Sequence, residues 1–122
     1  MSISKIQDAG VSLTGAALPA GSITSSQLTG DAVPIGVGQT WQTLTGSRTS
    51  GTTYYNTTGR TIMISGSVSN GGSAVLNMVV NGVQAQYIQA SNANPGCNTL
   101  VPPGASYSAT FSGSMNYWAE LR

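Results

Sequence analysis

The sequence predicts an all-β protein: a small antiparallel β-sandwich or jelly-roll-like domain over residues 34–122, preceded by an extended N-terminal arm over residues 1–33. Three observations carry this. Short runs that alternate apolar and polar residues recur from residue 39 to the C-terminus. Clusters of Asn, Gly and Pro separate them at intervals of about ten residues, the spacing of small sandwiches and barrels. No stretch shows a convincing helical period; Ile3 to Val11 makes at most a short turn.

Taken in order, QTWQTLT (39–45) alternates around Trp41, and TTYYN (52–56) is β-branched and aromatic. NTTG (56–59) is a turn, and RTIMISGSV (60–68) places Ile62, Ile64, Gly66 and Val68 on one face of a strand. NGG (70–72) is a second turn. VLNMVV (75–80), Asn81-Gly82 and VQAQYI (83–88) form the clearest local signal. Asn-Gly between alternating apolar runs favours a type I′ hairpin turn, which needs positive φ at both central residues. QASNANPGC (89–97) reads as a polar loop, and 98–101 as a short strand stopped by Pro102-Pro103-Gly104. SYSATFS (106–112) and MNYWAEL (115–121) complete the domain.

The arm has no aromatic residue and is rich in Gly, Ser, Thr and Ala. By composition it suits a flexible linker. Ile23, Leu28 and Val33, however, recur every five residues, which matches neither a helix nor a strand. That spacing suits an ordered arm wound with identical neighbours, each apolar residue facing a shared axis. A domain this small, without disulfides or metals, also gains burial from oligomerisation.

Composition narrows the function. Charged residues are 6% of the chain, against about 25% in an average soluble protein. The absence of His removes His-based acid–base catalysis, Ser-His-Asp and Cys-His pairs and His-metal sites. A net charge of +1 offers no basic patch for nucleic acid. No run of 18 apolar residues predicts membrane insertion, and MSISKIQDAG does not read as a signal peptide. Cys97 is a lone cysteine, expected to be a small buried or half-buried residue. No cofactor, metal or catalytic group is expected. Asp31 and Glu120 lie in different parts of the chain and do not suggest the carboxylate pair of a glycosidase. Gly36 and Gly38 lack the GK[ST] of a phosphate loop and are expected to bend the backbone from arm into domain.

Four strings stand in a telling order: VPIGVGQTWQ (33–42), GTTYYNTTGRTIMISGSV (51–68), VPPGASYSA (101–109) and NYWAELR (116–122). Together they resemble the C-terminal β-rich domains of tail-fibre and head-fibre proteins of tailed bacteriophages. The resemblance covers Pro34 to Arg122, and SITSSQLTGDAV (22–33) looks like the shaft-to-tip junction of such fibres. It implies a homotrimer at the virion surface, made in the cytoplasm of a bacterial host. The short arm suits a short tail fibre, docked through residues 1–33 on other tail or capsid proteins, whose tip binds a host-cell-surface glycan. The alternative it implies is a capsid decoration protein whose arm clasps the shell. On this reading Ile23, Leu28 and Val33 lie on the trimer axis.

Candidate contact residues follow. Tyr54 and Tyr55 are adjacent on a strand, so one is expected inside and the other exposed to a glycan or partner. Asn92 and Asn94 sit in the polar loop, where uncharged amides can donate to and accept from sugar hydroxyls; the same loop also reads as a plain solvated connection. Trp41 and Trp118 are expected as core or subunit-interface anchors, with sugar stacking as the lesser reading. Arg48, Arg60 and Arg122 are expected in solvent or paired with Glu120 between subunits. Asn56, within the sequon Asn56-Thr57-Thr58, is explained by its turn.

Overall fold

The computed structural model describes residues 27–28 and 32–122. Eight strands follow in chain order: β1 (Trp41–Thr43), β2 (Tyr54–Tyr55), β3 (Ile62–Ser69), β4 (Ser73–Val80), β5 (Val83–Ser91), β6 (Gly96–Val101), β7 (Ser106–Phe111) and β8 (Ser114–Leu121). Each begins within a few residues of its sequence-predicted counterpart. The main difference is the predicted loop 89–97. The alternation Ile88, Ala90 carries β5 on to Ser91, and β6 starts at Gly96, so the connection shrinks to 92–95.

The strands form two four-stranded antiparallel sheets, β1-β8-β3-β6 and β2-β7-β4-β5. First pairs with last, second with seventh, third with sixth, and fourth with fifth. This is one long hairpin rolled into a sandwich, the strand order of a jelly roll. The hairpin tip is Asn81-Gly82, with φ of 50° and 76°, the type I′ pair expected from the sequence. Asn81 Oδ1 accepts a hydrogen bond from the Ser106 amide at 3.1 Å, which ties the tip to β7.

Alternation sorts the side chains. Ile62, Ile64 and Val68 of β3 meet Ala74, Leu76 and Met78 of β4 across the sandwich, and Val101, Tyr107, Ala109 and Trp118 complete the core. All are essentially out of solvent, so the hydrophobic term acts on nearly their full area. Gly66 sits in the middle of β3 because Met78 and Trp118 press on it; a Cβ there would stand 3.3 Å from the Met78 methyl. Val68 stays inside by the same alternation, and the register shift between Ser67 and Val68 is taken up by an extra residue on β8, Asn116.

Trp41 loses one of the two places expected for it, the core of the single chain. It lies on β1, where alternation with Gln42 turns it to the outer face of the first sheet, and it is 53% exposed. Within one chain it is no core anchor; Trp118 is. β5 is the longest strand and an edge, and it carries neither charge nor proline. Such an edge has none of the usual devices against unwanted strand pairing except a bulge at Ala85, opposite Met78 and Val79 of β4.

The two ends of the sandwich differ. At one, the backbone of Thr40 exchanges two hydrogen bonds with Arg122, the Gln39 amide reaches the Thr61 carbonyl, and Arg60 Nη2 donates to the Pro34 carbonyl. Residues 1–33 join the domain here. At the other end, loops 70–72, 92–95 and 112–113 converge.

Candidate functional site

Those three loops enclose an open cleft of about 590 Å³, lined by Ser69, Asn70, Gly71, Asn92, Ala93, Asn94, Gly113 and Ser114. The volume falls in the range of small-ligand sites, about 300–1,000 Å³. The lining has no charge and no aromatic ring; it offers amides, hydroxyls and backbone groups.

The loops are held from within. Asn70 Nδ2 donates to the Ser73 carbonyl at 2.7 Å, and its Oδ1 accepts from the Gly72 amide, an Asx turn that fixes this side chain. Asn92 adopts positive φ (52°), which Asn tolerates, and its amide donates to the Gly72 carbonyl at 2.8 Å. That bond joins two of the loops. The third is pinned by Gly113, whose φ of 86° suits glycine and whose missing Cβ makes room for the Ser69 carbonyl. Gly113→Ala is therefore expected to cost about 1–3 kcal/mol and to distort the cleft. A chemical-denaturation midpoint equal to that of the unchanged protein would refute this.

The structure brings two of the candidate residues together, Asn92 and Asn94, and both line the cleft. Tyr54 and Tyr55 lie elsewhere. They pair with Tyr107 and Ser106 at the start of β7, whereas the cleft begins beyond its end. The separation is about 20 Å at 3.3 Å per residue. Tyr54 is half-buried: its hydroxyl accepts from the Thr49 amide at 2.9 Å, its ring packs on Tyr107, and Arg48 covers it at 4.4 Å. Tyr55 is 63% exposed on the opposite side of the strand. Leu28 and Val33 are half-buried, and Ile23 lies outside the described residues, as does Asp31.

Two buried polar groups went unrecognised as centres of the domain. Glu120 is fully buried on β8. Its Oε1 accepts from Arg48 Nε at 2.8 Å, Tyr107 Oη at 3.0 Å and Trp118 Nε1 at 3.0 Å; its Oε2 accepts from Arg122 Nη1 at 2.8 Å. Arg48 and Arg122, expected in solvent or bridging subunits, instead pair with Glu120 of their own chain. Burial alone would push the Glu120 carboxyl up. The hydrogen bonds from Arg48, Trp118 and Tyr107 and the charge of Arg48 outweigh it and hold the group below the usual carboxylate range. Burial together with the carboxylate pushes the Tyr107 hydroxyl up, and burial raises the half-buried Cys97 thiol.

Asn56 is the second group, also fully buried. Its Nδ2 donates to the carbonyls of Arg60, Val101 and Pro102 at 2.6, 2.9 and 3.0 Å, and its Oδ1 accepts from the amide and hydroxyl of Thr58. The turn reading holds for Thr58; the clasp on the 101–102 segment is additional. The amide nitrogen is committed to the fold and is not open to glycosylation in the native state.

Glu120 stands among its two arginines in the interior, away from the cleft, so the cleft itself holds no ionisable side chain. Among the described residues no group of three His, Cys, Asp or Glu gathers to hold a metal ion. Comparison with family models, curated proteins and solved structures finds no match for this chain.

Proposed function

We propose that this chain is a virion-surface protein of a tailed phage: a short tail fibre whose homotrimeric β-domain binds a neutral glycan of the host cell surface. Residues 1–33 dock it on other tail or capsid proteins. The observation that carries the reading is the uncharged cleft at the end of the sandwich opposite the arm. An anchored module needs its attachment at one end and its binding loops at the other, and loops on a rigid β scaffold are where binding groups concentrate. The resemblance of the ordered strings to those of phage fibre domains supports the same reading.

The lining selects the ligand class. Asn, Ser and backbone groups donate and accept, as sugar hydroxyls do. An uncharged lining gives no reason to prefer an acidic saccharide. Without an aromatic platform, recognition rests on hydrogen bonds of about 0.5–1.5 kcal/mol each. A single cleft is then weak, and three linked copies on one particle gain by avidity.

The test is binding of the purified full chain to an array of neutral and acidic bacterial-surface oligosaccharides. Binding to neutral glycans is expected, and Asn92→Ala/Asn94→Ala is expected to weaken it at least tenfold with an unchanged unfolding midpoint. Undiminished binding by that variant would remove the cleft from the mechanism. Immunogold labelling of particles places the protein: label at the tail end is expected, whereas label scattered over the head would make it a capsid decoration protein.

A further inference from the structure

The outer face of the first sheet carries one apolar row that runs straight across it. Trp41 pairs with Leu121, Leu121 with Met63, and Met63 with Leu100, so the four side chains stand side by side over all four strands. With strands about 4.8 Å apart, the row is about 15 Å long. Its flanks are open: Trp41 is 53% and Leu100 49% exposed. The next row, Thr43, Ala119, Ser65 and Asn98, is small and largely polar, and beyond it Tyr117, 43% exposed, stands without an apolar neighbour in its row. Ile35 and Val37, each 41% exposed, lie in the turn bound at the same end as the apolar row. Contiguous apolar surface of this kind marks an interaction site.

We infer that this row is the contact between copies of the chain. The inference rests on the homotrimeric part of the reading above. Three features favour a copy over another partner. The row itself bears no charge, and the neighbouring Arg60 and Arg122 side chains turn to the Pro34 carbonyl and Glu120 of their own chain. Residues 1–33, with Ile23, Leu28 and Val33 at intervals of five, join the domain at this end. Copies packed on the row therefore bring these segments side by side. The cleft lies at the far end of β3, six residues and about 20 Å from Met63, so the contact leaves every cleft open.

The test is sedimentation equilibrium of the full chain at micromolar concentration. The expected mass is about 37 kDa, three times 12.4 kDa. Trp41→Ser/Leu100→Asn is expected to return the chain to 12.4 kDa, or to raise the concentration for half-association at least a hundredfold, with an unchanged far-ultraviolet circular dichroism spectrum. Val83→Asn, at a still more exposed site on β5, is expected to leave association intact. A second readout needs no variant. Diluting the unchanged protein through its dissociation shifts tryptophan emission to the red, because Trp41 passes into water while Trp118 stays buried. A monomeric wild type overturns both this inference and the homotrimer. An associated wild type whose mass is indifferent to the double substitution, or whose emission is constant through dissociation, overturns this inference alone. Dissociation by Leu28→Asp in that case places the contact in residues 1–33.

Discussion

Replacing Glu120 by alanine is expected to cost about 3–5 kcal/mol of folding stability, the range for breaking one side of a buried ion pair. The carboxylate answers four donors at once. Without it, the Tyr107 hydroxyl and Trp118 indole N–H keep their places in the core with no acceptor, and each such loss costs about 1–3 kcal/mol. Arg48 and Arg122, 13% and 22% exposed, lose the charge that compensates their desolvation. A domain of this size has about 5–13 kcal/mol in total, so the variant sits near the threshold of folding. Arg122→Ala removes one outer donor and leaves Arg48 in place, and is expected to cost much less. Urea unfolding followed by Trp118 emission measures both. A Glu120→Ala midpoint equal to that of the unchanged protein would rule out a stabilising network.

The same group sets the acid limb of stability. Its folded-state pKa is depressed, so the unfolded chain binds the proton more readily. The contribution is complete above the unfolded-chain value, about 4.3. It is lost as pH falls from there through the lower folded-state value. Added salt is expected to change it little, because the pair is shielded from solvent.

Asn56→Asp is the second large effect, expected to cost at least about 3 kcal/mol although it changes a single atom. In the native protein Nδ2 donates to three carbonyls. A carboxylate would turn a second acceptor toward them, bury a charge without a cation and leave three carbonyls unanswered. Asn56→Ala removes the bonds without adding the charge and is expected to be the milder change. If Asp and Ala prove equally destabilising, the assigned direction of the amide is wrong. The segments it joins, 56–60 and 101–105, form the end of the sandwich away from the cleft, so glycan binding by the folded fraction is expected to be unaffected.

What was legible in the sequence was local. The Asn81-Gly82 turn follows from the φ values those two residues accept, and the Ile62, Ile64, Val68 face follows from a period of two. Trp41 was not legible, because alternation assigns a residue to a face and does not say whether another layer covers it. Glu120 and Arg48 are 72 positions apart, and Asn56 and Val101 are 45 apart; no window along the chain contains either pair. The cleft assembles from three loops about 20 residues apart that only the rolled hairpin brings together. Asn92 and Asn94 were visible as polar loop residues, whereas Gly113 was not, since its demand for positive φ arises from the approach of the Ser69 carbonyl.

The pairing of first strand with last has a consequence for synthesis. β8 runs between β1 and β3. Until residues 114–121 leave the ribosome, that sheet is split down its middle, and Trp118 and Glu120 are missing from the interior. Closing contacts of such long separation is slow, and the domain cannot close before β8 is made. Until then β1 and β3 stand as unpaired edges, open to pairing with strands of other copies. Synthesis of β8 (Ser114–Leu121) is thus the timing step for closing the first sheet.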